Sequence, residues 1–316
     1  MPTTRRDTLK YAGAAIAVMS GARSASAETR AEGNPYAVRS GPMPVPYVPR
    51  RGYADGPFGQ VHFRDTGEGR PLILCPQAPQ TSRQFENVYA PLARRGIRAI
   101  GVDSPGFGES DPVPYVPTVT DWAEAVPAVL DHLGIEKADV LGHHTGGMAA
   151  TEVAIHFPER VNKLIINGPL PMGEEERSNF LKFVEEGEIN FVYQADGSHL
   201  QEAFASRYRM YVDGGGTPDP KTITRYTVER FQGYAPFWTG HHAAFIYDHN
   251  AALMDVMVPT LILTNTGDQI YENAKLAAQM RPDFAYVELQ GGGIDIVDQM
   301  PEEWADAVVN FLDGSA

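Results

Sequence analysis

A single cysteine stands in 316 residues, so no disulfide can form within the chain. Oxidising compartments require disulfides chiefly of small domains that lack a sufficient core, and a chain of this size has no such need. Cys75 closes the apolar run Pro71-Leu-Ile-Leu-Cys75 and is expected to behave as a small buried hydrophobe. Positive charge is also scarce. The 26 Lys and Arg stand against 40 Asp and Glu, a formal net charge of −14. That balance argues against nucleic acid or an anionic membrane surface as a partner. No apolar run approaches the ~20 residues of a permanent transmembrane helix. Internal repeats and long low-complexity segments are missing too, which removes solenoid architectures. What is present suffices for a core: 43% hydrophobic and 10% aromatic residues. The length accommodates one large α/β domain with an insertion, or two domains.

The first residues are set aside before any fold reasoning. Thr4-Arg5-Arg6-Asp7-Thr8-Leu9-Lys10 resembles a twin-arginine export signal, followed by a short apolar stretch (Tyr11 to Met19) and a small-x-small cleavage site, Ala25-Ser26-Ala27. Residues 1–27 are therefore expected to be a signal peptide and the mature protein periplasmic or secreted, with no stable membrane insertion. Residues 28–58 begin rich in Pro, Gly and Arg and read as an extended arm.

From Gly59 the pattern alternates between strand and helix. Strands are expected over 59–65, 71–75, 97–102, 161–167 and 285–289, with helices over 84–95, 120–133, 273–280 and 301–312. Thr120 or Asp121 is the expected cap of the second of these helices. Such alternation implies a mostly parallel sheet covered by helices on both faces. Between Gly168 and Asp255 the alternation breaks. Helical segments (174–186 and 199–212) and the aromatic joint Tyr234-Ala-Pro-Phe-Trp-Thr-Gly240 mark an inserted helical cap between core segments 59–167 and 256–316.

The organising stretch is Asp139-Val-Leu-Gly142-His143-His144-Thr145-Gly146-Gly147. A β-forming run enters a Gly-x-x-x-Gly turn and an Ala-rich helical pattern leaves it, the grammar of a nucleophile elbow. Gly142 and Gly146 are needed because side chains there would crowd the turn. With Asp103-Ser-Pro-Gly-Phe-Gly-Glu-Ser-Asp111 and Val258-Pro-Thr-Leu-Ile-Leu-Thr-Asn-Thr-Gly-Asp268, this stretch resembles the α/β-hydrolase superfamily from about residue 59 to the end. The resemblance implies the α/β-hydrolase fold, a helical cap and a catalytic triad in the order nucleophile, acid, histidine.

Two positions depart from that pattern. His144 stands where most members carry the nucleophilic Ser. The loop Gly291-Gly-Gly293-Ile294-Asp295, ahead of Pro301-Glu302-Glu303, puts Ile294 where the catalytic His belongs, and no histidine follows His249. The resemblance leaves Asp268 as the acid and implies backbone N–H groups of Ala78 and Thr145 as the oxyanion hole, with Pro76-Gln77-Ala78-Pro79 replacing the usual His-Gly-x-Pro. Since an imidazole is longer than a hydroxymethyl group, His144 is expected to reach Asp268 directly. That dyad would act as general base on water or on a bound carbonyl compound, with direct nucleophilic attack by His144 as the lesser alternative. Gln77 is placed at the pocket rim or in solvent, and His143 in a structural role beside the pocket. Ile294, Phe237 and Trp238 are placed in the pocket lining, and Phe180, Phe183, Phe191 and Tyr193 in either cap lining or cap core. Asp295 and Asp298 could serve as alternative acids, and their plainer reading is a loop turn and a helix cap. The pairs His143-His144 and His241-His242 lack metal-ligand spacing, so no metal and no cofactor is expected. His241, His242 or His249 could reach the site from the cap.

The expected function is hydrolysis of an ester, a lactone or an activated C–C bond in a small apolar or aromatic substrate. A cofactor-independent lyase or isomerase using His144, and a catalytically silent ligand-binding protein, fit the same residues. Substrate identity and oligomeric state are not written in the sequence.

Overall fold

The computed structural model describes residues 49–314. The signal expected over 1–27, and the arm up to residue 48, lie outside the described residues. Eight strands form one sheet in the order β1-β2-β4-β3-β5-β6-β7-β8. They are β1 (Arg50–Gly56), β2 (Gly59–Thr66), β3 (Arg70–Cys75), β4 (Ile97–Val102), β5 (Ala138–His143), β6 (Val161–Asn167), β7 (Thr260–Asn265) and β8 (Ala285–Leu289). The β1–β2 and β2–β4 pairings are antiparallel and the remainder parallel. β5 and β7 are buried along their whole length, as a sheet covered on both faces requires. One face packs Ile73, Val140 and Ile166 against Val126 and Val153, and the other packs Leu74, Leu141 and Leu263 against Trp304 and Val308.

The core helices are α1 (Tyr89–Arg94), α2 (Val119–Ala123), α3 (Ala125–His132) and α4 (Thr145–His156) before the insertion. Between β6 and β7 lie α5 (Glu174–Phe183), α6 (Ser198–Asp213), α7 (Pro220–Glu229), α8 (Trp238–Ile246) and α9 (His249–Asp255). The chain closes with α10 (Tyr271–Met280), α11 (Ile296–Gln299) and α12 (Pro301–Asp313).

Three local expectations are corrected. Residues 50–56, assigned to the arm, form β1, an edge strand in which only Ala54 is buried, so its sequence carries no alternating signature. The helix expected over 84–95 is a 3-10 turn (Ser82–Phe85) followed by α1, because Pro91 can occupy only a first turn. The helix expected over 120–133 divides at Glu124, since Pro127 cannot donate to the carbonyl of Ala123. Its cap is Thr118, whose hydroxyl accepts from the Asp121 N–H while the Asp121 carboxylate accepts from the Thr118 N–H. Cys75 is buried at the end of β3, and burial pushes its thiol up to about 12.

Candidate active site

The turn from β5 into α4 is built at contact distance. A Cβ on Gly142 would stand 2.0 Å from the Gly146 carbonyl oxygen, and one on Gly146 would stand 2.1 Å from that of Cys75. Between them His144 has φ 51° and ψ −115°, the sole positive φ of a non-glycine among the described residues. Such a conformation costs roughly 1–3 kcal/mol and persists where surrounding structure enforces it.

The His144 ring meets the turn after β7. Its Nε2 lies 2.8 Å from Asp268 Oδ2, with side-chain exposures of 10% and 0%. Asp268 Oδ1 accepts from the Ile270 N–H at 3.2 Å. Burial works against ionisation of Asp268, but the adjoining His144 charge and hydrogen bond outweigh it, with the Ile270 amide assisting. The carboxyl is thereby held below its ordinary range. An ionised carboxylate only accepts, so it fixes the proton on Nε2 and leaves Nδ1 as the basic nitrogen.

His143 stacks under that ring at 4.5 Å between centroids and 9° between planes. The Gln84 side chain joins it to the oxyanion loop, Nε2 lying 3.1 Å from His143 Nδ1 while Oε1 accepts from the Gln77 N–H at 2.8 Å. Burial first, and the His144 charge second, push protonation of His143 far below its ordinary range, so it is a neutral platform.

Room for the His144 ring comes from Gly168, just past β6. It has φ +72°, and a Cβ there would stand 2.7 Å from His144 Cδ2. Gly168→Ala is therefore expected to displace the ring and cut turnover by about 10²-fold with secondary structure retained, a drop that kcat measurement beside circular dichroism would detect.

The expected pair of backbone oxyanion donors is altered. The Ala78 N–H donates to Thr145 Oγ1 at 2.6 Å, so that amide is already engaged. Thr145 lines the cavity at the start of α4, and its hydroxyl oxygen is polarised by accepting from Ala78.

Above the dyad is a cavity of about 360 Å³ between core and insertion. Gln77, Ala78, His144, Thr145 and Ile294 line it from the core; Phe180, Phe245, Arg207, Arg230 and His241 line it from the helices. Three expected neighbours lie elsewhere. His143 is fully buried beneath His144. Phe237 packs edge-on against Phe191 and Phe231, and Trp238 packs against His242. Among the remaining aromatics, Phe180 stacks on Phe245 in the cavity wall, whereas Phe183 and Tyr193 are exposed. Asp295 lies in a turn, at the N-cap position of α11 but without a side-chain cap bond, whereas Asp298 falls inside that helix and is not its cap. Asp295 is a buried bidentate partner of Arg207, and Asp298 accepts from Arg225 and the Tyr226 hydroxyl. The sequence reading missed Arg207 and Arg230, because an arginine in an amphipathic helix reads as a solvated face. Among the described residues no group of three or more His, Cys, Asp or Glu side chains is arranged to hold a metal ion.

His249 serves the scaffold. Its Nδ1 accepts from the Leu170 N–H at 3.2 Å, and burial lowers its pKa to about 3. A histidine kept neutral in the fold takes a proton in the unfolded chain below about pH 6.5. Its contribution to stability is whole above that pH and declines by up to about 1.4 kcal/mol per unit as pH falls toward its folded value. Urea unfolding between pH 7 and 4 is expected to show a shallower decline for His249→Asn, which retains an acceptor for Leu170 without titrating.

The model of the α/β hydrolase fold family matches residues 70–293, and the chain belongs to that family. The 2-hydroxy-6-oxononadienedioate/2-hydroxy-6-oxononatrienedioate hydrolase of Paraburkholderia phymatum is 38% identical over 115 residues, 34% of this chain and 40% of that one. The 2-hydroxy-6-oxo-6-phenylhexa-2,4-dienoate hydrolase of Comamonas testosteroni is 37% identical over 123 residues, 36% of this chain and 41% of that one. The matches thus span about two fifths of these relatives' length. Among solved structures, the enol-lactonase from Burkholderia xenovorans superposes with a TM-score of 0.67 at 17% identity, covering 83% of this chain and all 100% of that one. A bromoperoxidase from Bacillus anthracis gives 0.69 at 18% identity, over 84% and 100%. These structural likenesses carry the fold.

Proposed function

We propose that this chain hydrolyses a carboxylated ketone of the oxo-dienoate kind, with His144 as general base on water and Asp268 as its orienting acid. The observation that carries the reading is the 2.8 Å His144–Asp268 contact on the cavity floor. Dyad geometry fixes the imidazole's tautomer and stabilises the imidazolium formed when it takes a proton.

The relatives' substrates, as their names describe them, contain a ketone, an enol and one or two carboxylates but no ester or amide. Hydrolysis of such a compound must break a carbon–carbon bond. For 2-hydroxy-6-oxo-6-phenylhexa-2,4-dienoate the enol first passes its proton to C5. Water then adds to the C6 carbonyl while His144 Nδ1 takes a water proton, and charge on the former carbonyl oxygen is met by the Thr145 N–H and hydroxyl. Collapse breaks C5–C6, and the electron pair is delocalised to the C2 oxygen, which recovers the proton from His144. The products are 2-hydroxypenta-2,4-dienoate and benzoic acid, which ionises to benzoate by releasing the second water proton to solvent. Arg207 and Arg230, paired with Asp295 and Glu188 and sharing the wall with Glu176, supply the guanidinium groups that suit the carboxylate, while Phe180 and Phe245 suit the apolar end.

Incubating the protein with that phenyl dienoate and assaying benzoate tests the reading. Release of benzoate at catalytic turnover is the expected result; substrate left intact would overturn it.

A further inference from the structure

The cavity holds two imidazoles, and the proposed hydrolysis uses one of them in the water step. His241, in α8, lines the same cavity from the side of the inserted helices. Its Nδ1 lies 2.8 Å from Glu188 Oε2. Glu188 ends a π-helical turn (Val184–Glu188) that continues α5, and its side chain is only 8% exposed. Arg230 Nη2 donates to the other carboxylate oxygen at 3.2 Å. The His241 ring also rests against Phe245, 5.8 Å between centroids at 26°. Single-turn π-helices recur at functional sites, where they aim a side chain that a regular helix would turn away.

This arrangement repeats the logic of the core dyad on different elements. The carboxylate fixes the proton on His241 Nδ1, leaving Nε2 as the nitrogen free to exchange a proton with a ligand. A side chain 38% exposed, beside a cavity, stays accessible to substrate. By contrast His242 packs against Trp238, and His249 is committed to the scaffold. A purely structural ion pair between Glu188 and Arg230 has no need of an imidazole on the cavity side.

We infer that His241, oriented by Glu188, is a second catalytic imidazole, which carries the enol proton to carbon before the C–C bond is cleaved. The inference rests on the oxo-dienoate reading above. In this step the 2-hydroxyl O–H bond breaks and its proton moves to His241 Nε2. The oxygen pair forms C2=O, the double bonds shift to C3=C4, and C5 takes the proton back from the imidazolium. No proton or electron is gained or lost overall. The ketonised substrate then meets water at C6 under His144.

The two histidines thus serve different, separately visible phases. With 2-hydroxy-6-oxo-6-phenylhexa-2,4-dienoate in stopped flow, ketonisation bleaches the conjugated chromophore, and cleavage releases benzoate. His241→Gln and Glu188→Gln are expected to slow bleaching by about 10²-fold or more, and His241→Gln to suppress uptake of solvent deuterium at C5. His144→Ala is expected to bleach and exchange normally while releasing no benzoate. Bleaching and exchange at the wild-type rate in both His241→Gln and Glu188→Gln would overturn the inference and leave the role of His144 standing. Slow bleaching in those variants alongside wild-type benzoate release from His144→Ala would overturn the role of His144 and leave His241 in place. Glu188→Gln preserves the shape and hydrogen-bonding capacity of the π-turn, so the test survives if His241→Gln folds poorly.

Discussion

Arg207→Met is expected to lower the free energy of unfolding by about 3–5 kcal/mol, with a fall in Tm on the order of 10 °C. Arg207 Nε donates to Asp295 Oδ2 at 2.9 Å and Nη2 donates to Oδ1, with side-chain exposures of 13% and 0%. The guanidinium also lies 4.1 Å from the centroid of the Tyr226 ring. Burial works against the charge on Arg207, and Asp295 more than restores it. Removing the cation strands a carboxylate with no water to solvate it, and that loss exceeds anything an exposed pair contributes. Because the pair links α6 of the insertion to the loop carrying Ile294, the cavity wall loosens with it. Adding Asp295→Asn to Arg207→Met is expected to return most of the stability but not the guanidinium, so KM for the dienoate stays high. Calorimetry on the single and double variants separates the two effects, and equal Tm values for all forms would refute the buried-pair account.

Asp268→Asn is expected to reduce benzoate release by about 10²–10⁴-fold while the fold persists. The carboxylate does two things that an amide cannot. In the proposed mechanism it holds the proton on His144 Nε2, so that Nδ1 is the base, and it stabilises the imidazolium that results. An asparagine can present its NH₂ to Nε2, which reverses the tautomer and puts the proton on the wrong nitrogen. The double variant Asp268→Asn/His144→Ala should be no worse than His144→Ala alone, since groups acting as a unit are not additive. A further loss in the double variant would show that Asp268 acts independently of His144.

The strand–turn–helix around His144 was legible because Gly142 and Gly146 have no alternative at 2 Å from neighbouring carbonyls, and that spacing leaves a local trace in sequence. Asp268 was legible for a similar reason, following a wholly buried strand into a glycine turn. Relations between distant segments left no such trace. Ala78 and Thr145 are 67 residues apart, and a threonine after the elbow gives no sign that its hydroxyl will occupy the amide of another loop. Arg207 and Asp295 lie 88 residues apart, and alone the first reads as a solvated charge and the second as a turn residue. Glu188 points at His241 through a π-turn, a local departure from helical periodicity that a hydrophobic pattern does not encode. β1 went unseen since an edge strand with one buried residue needs no alternation.

Benzoate release by His144→Ala, measured against wild type on the phenyl dienoate with folding checked by circular dichroism, tests the role of the elbow imidazole most directly. A fall of at least about 10³-fold with the fold intact is the predicted result. Release within a few-fold of wild type would contradict it, because water would then be activated without the His144–Asp268 pair.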